Sequence, residues 1–187
     1  FSFDVAEMRD VWYKTSFLLD QKQTANGLAQ DRFNNYKNQP LSYKFPENFT
    51  GKLPVIRKDK PKAAIIREKG SNSEREMANA MYLAGFDVKD VHMTDLISGR
   101  ETLEDIQFIG AVGGFSNSDV LGSAKGWAGA FLYNAKAKKA LKNFFKREDT
   151  LSVGICNGAQ LWMELDLINP DHKVHGKLVH NDSHKHE

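Results

Sequence analysis

The sequence lacks most of the features that would place it at a glance. One cysteine in 187 residues cannot form an internal disulfide, so a disulfide-stapled scaffold is excluded. No apolar run approaches the ~20 residues of a membrane span. No sign of charge dominates. With 26 basic and 24 acidic residues the net charge is +2, which leaves no footprint of nucleic acid or anionic membrane as partner. Lys136, Lys138, Lys139 and Lys142 fall at helical spacing and read as a solvated helix face. Repeats and low-complexity tracts are absent. The opening segment, Phe1 to Asp10, has no charged stretch followed by an apolar one, so it does not read as a signal peptide. With no initiator Met, the chain reads as a cytoplasmic piece of something longer.

What is present divides into two textures. Residues 1–60 are rich in Asn, Gln and aromatics and show little strand patterning. Met8 to Leu19 fits a helix with Trp12 and Leu19 on one face. Asn26-Gly27, Asn34-Asn35 and Pro40 then read as turns. Leu41 to Pro61, with Pro46, Gly51 and Pro54, reads as an extended linker. Such a stretch builds no core, so Trp12, Tyr13, Phe17, Phe33 and Tyr36 are expected to pack partly on a partner domain or on the rest of this one.

From Pro61 onward, short apolar runs alternate with helical patterns. Ala63 to Ile66, Phe86 to His92, Phe108 to Val112 and Leu151 to Ile155 read as strands. Between them, Ser73 to Ala84 reads as a helix opened by a capping box of Ser73 and Glu76, with an inner stripe of Met77, Ala80, Met81 and Ala84. Thr94 to Ser98 and Asn157 to Leu165 read as further helices, and Gly126 to Tyr133 with Ala135 to Phe145 as one broken helix or two. This alternation predicts an α/β fold, a doubly wound, mostly parallel, flavodoxin-like sheet with an irregular N-terminal extension. Sites in such sheets form beyond the carboxyl ends of the strands.

One strand end carries chemistry. Gly154-Ile155-Cys156-Asn157-Gly158 joins an apolar strand to a helix, the G-x-nucleophile-x-G pattern of a strained elbow. Side chains at the two glycines would meet neighbouring backbone. The bend lifts the sulfur above the sheet and places it at a helix N-terminus, which favours a thiolate. The Asn157 amide points into the same space and suits an oxyanion. The plainer reading is a buried structural cysteine. Gly113-Gly114-Phe115-Ser116-Asn117-Ser118-Asp119 follows another strand, and its glycines let backbone N–H groups approach a ligand closely; an ordinary capped turn is the alternative. Arg67-Glu68-Lys69-Gly70-Ser71-Asn72-Ser73 is a third polar strand-end loop on the same edge.

On these residues the sequence resembles the class I, triad-type glutamine amidotransferase domain, and within it the glutaminase region of the large single-chain phosphoribosylformylglycinamidine synthases. The matching stretches are Arg67 to Ser73, Asp90 to Leu96, Gly113 to Ser116, Asp119 to Gly122, Gly126 to Ala128 and Gly154 to Gly158. The resemblance covers residues 61–187 as the amidotransferase domain; residues 1–60 look like the link from a preceding synthetase part. It implies that Cys156 attacks glutamine and passes through a glutamyl thioester, with backbone amides of Gly114, Phe115 and Asn157 holding the oxyanion and Asn72, Asn181 and Ser183 binding the substrate. The ammonia would serve an ATP- and Mg-dependent synthetase domain that converts formylglycinamide ribonucleotide to formylglycinamidine ribonucleotide. No cofactor or metal is expected in this part itself. Departures occur at Asn117-Ser118, where the family has Tyr-Gly, at Ala159 for a frequent second Cys, and at His186 for a Phe. The family's catalytic His and Glu fall after Glu187, so residues 61–187 are expected to be a truncated and impaired glutaminase.

His172, His175, His180, His184 and His186 crowd the end, without the carboxylate or Cys that would complete a metal set. Other readings remain: a different Cys-elbow hydrolase, although nothing near Asn157 suits its acid or His; a non-catalytic flavodoxin-like binding module; or a stand-alone glutaminase subunit, against which residues 1–60 argue.

Overall fold

The computed structural model describes residues 1–36, 38, 42–52, 58–169 and 171–182. The chain divides into two compact units, Phe1–Thr50 with Val179–Glu187, and Gly51–Leu178.

The first unit is a helical hairpin. Helix α1 (Val5–Gln23) starts where the Asp4 carboxylate accepts the Glu7 N–H at 2.9 Å. Left-handed Asn26 and Gly27 turn the chain into α2 (Leu28–Asn35). The turn at Asn26-Gly27 is thus as expected, but Asn34-Asn35 ends a helix rather than making a turn. Ring contacts hold this polar helix in place. Phe33 stacks on Phe17 at 4.3 Å, and the Arg9 guanidinium lies over Tyr36 at 3.4 Å and near Phe33 and Tyr13. Four of the five flagged rings therefore find neighbours inside the hairpin, while Trp12 is 82% exposed and Leu19 is exposed too. Residues 42–52 carry a single turn, at Glu47–Asn48. Pro40, Leu41 and Pro54 lie outside the described residues.

The second unit holds the core. Its elements run β1 (Lys62–Arg67), β2 (Ser71–Asn72), α3 (Glu74–Leu83), β3 (Asp87–His92), α4 (Met93–Ser98), β4 (Phe108–Ala111), β5 (Gly113–Gly114), α5 (Lys125–Tyr133), α6 (Ala135–Phe145), β6 (Leu151–Gly154) and α7 (Asn157–Glu164). β3, β1, β4 and β6 form one all-parallel sheet in that order, the flavodoxin-like order of a doubly wound fold. Ala63 to Ile66 of β1 are fully buried, as a strand covered on both faces must be. Each such Ile contributes roughly 1.5–3 kcal/mol by burial. Two adjacent residues of β4 fix which helix covers which face. A Cβ on Gly110 would run into Met77 and Met81 of α3, whereas Ala111 abuts Gly158 of α7. Neighbouring strand residues point to opposite faces, so α3 and α7 cover opposite faces of the sheet. Trp127, Phe131 and Phe144 of α5 and α6 complete the core.

Two local expectations fail. Ser73 precedes α3 with φ 75° and makes no side-chain cap; its N–H is taken by Asn72 Oδ1 at 2.8 Å as the chain leaves β2. The capping box sits instead at α4, where the His92 ring accepts the Thr94 N–H and Asp95 accepts the His92 N–H. The inner stripe of α3 is Met77, Ala78 and Met81; Ala80 and Ala84 are exposed, because a short helix on one sheet face buries a narrower arc than assumed. Lys125–Tyr133 and Ala135–Phe145 are two helices, separated by Asn134, whose side chain caps the second. β6 has β4 on one side and no strand on the other among the described residues.

Candidate active site

β6 passes into α7 through Cys156, whose backbone stands at φ 54°, ψ −110°. A residue with a Cβ holds such a conformation only where its surroundings over-determine it. Here they do. Ile155 N–H donates to the Ala111 carbonyl at 3.1 Å, Gly158 N–H to Ile155 at 2.9 Å, and Gln160 N–H to Cys156 at 3.1 Å. Both elbow glycines are sterically required. A Cβ on Gly154 would lie 2.5 Å from the Trp162 ring and 2.6 Å from the Gly158 carbonyl oxygen. A Cβ on Gly158 would lie 2.1 Å from the Ala111 carbonyl oxygen, so α7 rests directly on β4. The bend delivers an exposed thiol, not a core cysteine.

The loop after β4 meets the sulfur. A methyl on Gly113 would touch Cys156 Cβ at 3.3 Å and Sγ at 4.0 Å. Gly113 and Gly114 also pair antiparallel with Asn72 and Ser71, which brings the loop after β1 to the same place. The approach is close. Gly114 has φ 105°, and a Cβ there would stand 2.7 Å from the Asn72 nitrogen. The Phe115 and Asn117 N–H groups donate to the carbonyls of Gly70 and Lys69, each at 2.9 Å. All three strand-end loops thus converge on the elbow, across the switch point between β1 and β4.

In an antiparallel ladder, bonded and non-bonded pairs alternate. The Phe115 N–H bonds to Gly70, so the next pair, Gly114 with Ser71, is non-bonded, and the Gly114 N–H points out of the ladder. Asn157 is the first residue of α7 and has no intrahelical acceptor for its N–H. Neither amide has an acceptor among the described residues. Phe115, expected to share the oxyanion with them, has its N–H engaged by Gly70. The Asn157 side chain, which sequence reasoning overlooked, is buried; its Oδ1 accepts the Ser116 N–H at 3.0 Å and its Nδ2 donates to Gln160 Oε1 at 2.9 Å. A polar residue directly after the nucleophile, at the buried start of a helix, was the available signal.

The remaining candidates scatter. Asn72 is exposed and pairs with Gly113 beside the elbow. Arg67 is committed to a bidentate pair with Asp90, at 2.7 and 2.9 Å, which holds its guanidinium above its ordinary pKa. Glu68 Oε1 lies 3.9 Å from His92 Nε2. Both groups stand on the β3–β1 side of the sheet. Asn181 belongs to the other unit, and Ser183, His184 and His186 lie outside the described residues. Among the described residues no cluster of His, Cys, Asp and Glu could hold a metal ion, and no helix is long and apolar enough to cross a membrane.

Known proteins match this chain at two scales. The model of the CobB/CobQ-like glutamine amidotransferase domain matches residues 60–187. The phosphoribosylformylglycinamidine synthase of Homo sapiens is 44% identical over 171 residues, which is 89% of this chain and 13% of that protein. A probable phosphoribosylformylglycinamidine synthase, chloroplastic/mitochondrial, from Arabidopsis thaliana is 41% identical over 192 residues, 96% of this chain and 13% of its own length. The structure of PurLQS from Thermotoga maritima aligns with a TM-score of 0.49 at 28% identity, over 59% of this chain and 46% of that one. The chain therefore spans about an eighth of the curated relatives it matches.

Proposed function

The chain belongs to the CobB/CobQ-like glutamine amidotransferase domain family, and from that premise we propose that Cys156 is the nucleophile that hydrolyses glutamine. Its sulfur adds to the side-chain amide carbon, and the carbonyl electron pair moves to oxygen. The N–H groups of Gly114 and Asn157, from two different loops, hold that oxyanion; a third donor at Phe115 would require its bond to Gly70 to open. Ammonia leaves with an added proton, and water then cleaves the glutamyl thioester to glutamate. The observation that carries this reading is an exposed thiol on a strained elbow, flanked by two unengaged amides.

The proton transfers need a general acid–base. His92 is a poor candidate. It ends β3, three strand spacings from β6, or roughly 14 Å at ~4.8 Å per strand. The role is assigned to the histidine–glutamate pair that the family resemblance places later in the domain. Asn72, Asn181 and Ser183 are proposed to hold the amino-acid end of the substrate.

The ammonia is proposed to feed an ATP- and Mg-dependent synthetase part of a longer cytoplasmic chain, forming formylglycinamidine ribonucleotide in purine biosynthesis. Residues 61–187 are the glutaminase part and 1–60 the connection to the synthetase. In support, the family model starts at residue 60, while the synthase relatives match over 89–96% of the chain. No residue of this chain is assigned to ATP or Mg.

The test is alkylation of the full-length enzyme by 6-diazo-5-oxo-norleucine, with peptide mass analysis. Labelling confined to Cys156 and blocked by glutamine is the expected result. An unlabelled Cys156, or labelling indifferent to glutamine, favours the binding-module reading and sinks this one.

A further inference from the structure

We propose that the Asn157 side chain is a positioning residue for the reaction, a clip that sets the spacing between the two oxyanion donors; the inference rests on the glutaminase reading above. The same residue offers its backbone N–H at the elbow and, through its side chain, grips the loop that carries the other donor. Oδ1 accepts the Ser116 N–H at 3.0 Å, and Nδ2 donates to Gln160 Oε1 at 2.9 Å. The orientation of the amide is forced, because a backbone N–H can only donate and must therefore face Oδ1. Asn157 is 1% exposed and Ser116 is 2% exposed, so water does not compete for this bond.

The loop is thereby clamped from two directions. On one side the Phe115 and Asn117 N–H groups are bonded to Gly70 and Lys69 of the first loop. On the other, the Ser116 N–H between them is bonded to the elbow itself. Three consecutive amides after Gly114 alternate between these two partners, which fixes the plane of the Gly114 peptide against Cys156. Without the clip, the antiparallel pairing would still tether Gly114 to the first loop, but nothing among these bonds would register it against the sulfur. Oxyanion stabilisation is sensitive to donor distance, so registry of this kind acts on the transition state more than on bound glutamine. A stitch that served only stability would leave the kinetics alone.

The experiment uses the full-length enzyme with Asn157→Leu, Ser116→Pro and the double variant. Leu keeps the volume and removes both the acceptor of the Ser116 N–H and the donor to Gln160. Pro removes the donor together with the Ser116 hydroxyl, which is buried without a hydrogen-bond partner among the described residues, so its loss costs no other bond. The readouts are glutaminase kcat and KM, and the inhibition constant of the γ-aldehyde analogue of glutamine. That analogue takes up the Cys156 sulfur at its aldehyde carbon. The C–S bond forms as the carbonyl pair moves to oxygen, which protonates from solvent, and nothing leaves. Each single variant is expected to lose ~10–100-fold in kcat and in aldehyde affinity, with KM within about 3-fold. The double variant should be no worse than Asn157→Leu alone, since that change already removes the bond to Ser116 as well as the one to Gln160. A kcat within about 2-fold of wild type, or losses that multiply in the double variant, overturns the proposal. Amide hydrogen exchange on the unsubstituted enzyme tests the same bond without a folding risk: Ser116 should be protected and Gly114 fast, and fast exchange at Ser116 overturns it. If wild-type enzyme neither turns over glutamine nor binds the aldehyde, the glutaminase reading itself has failed; if it does both and the variants match it, only the clip has.

Discussion

Replacing Cys156 by glycine and, in parallel, by alanine isolates the strain stored at the elbow. Both changes remove the thiol, and both abolish glutaminase chemistry. They differ in one methyl group at a backbone held at φ 54°, ψ −110°. A residue with a Cβ in such a region is strained by about 1–3 kcal/mol. Glycine relieves that strain but has more freedom to lose on folding, a cost of about 0.5–1 kcal/mol. Because position 156 is exposed, little packing changes with the methyl. The difference should be about 1 kcal/mol in favour of glycine, the reverse of the usual order. For a chain of this length that corresponds to a Tm higher by about 2–4 °C. Scanning calorimetry of the two variants under identical buffer reads it directly. A glycine variant no more stable than the alanine variant would refute the claim that the elbow is strained.

Three further outcomes follow from the same geometry. Gly158→Ala drives a methyl to 2.1 Å from the Ala111 carbonyl oxygen, so urea unfolding should show a loss of about 3 kcal/mol or more, and an unchanged midpoint would contradict the contact. Gly114→Ala meets the Asn72 nitrogen at 2.7 Å with φ 105°; kcat should fall ~10²-fold while far-ultraviolet circular dichroism stays unchanged, and full activity would remove Gly114 from the oxyanion site. The exposed Lys62–Asp105 pair, at 2.6 Å, lowers the Asp105 pKa and raises that of Lys62, chiefly through their hydrogen bond. A depressed carboxylate contributes stability above its unfolded value near 3.8 that is lost as pH falls through the folded one; a raised lysine contributes below 10.5 and loses it as pH climbs through its folded value. Asp105→Asn should therefore be slightly less stable than wild type between those limits, and equal to it in strong acid or in high salt.

The sheet was legible because it obeys one rule. Four short segments, each bounded by polar or glycine-containing stretches, became four parallel strands whose ends lie within one residue of those expected. The elbow was legible because its glycines are sterically compelled, and steric compulsion leaves a mark in sequence. Other parts left none. Helix α2 is spelled Leu-Ala-Gln-Asp-Arg-Phe-Asn-Asn, whose Asn pair favours turns in isolation; ring stacking on Phe17 and the Arg9 cation, both distant in sequence, override that preference. Ser73 looked like a cap because Glu76 stands three residues on, but the chain arrives from the β2–β5 ladder at an angle that turns Ser73 left-handed. The engagement of the Phe115 amide and the reach of the Asn157 side chain are both cross-loop bonds, over 45 and 41 residues respectively. No local pattern encodes a partner that far away.

The nucleophile rides on the margin of its sheet. Among the described residues β1 and β4 are each hemmed by two neighbours, whereas β6 has β4 alone, and Leu151 at its start is 70% exposed. Any fluttering of that border is transmitted to Cys156, with no second strand among the described residues to damp it. A segment of backbone laid along the free side of β6 would stiffen the thiol without touching it, giving the molecule a throttle several ångströms from the chemistry.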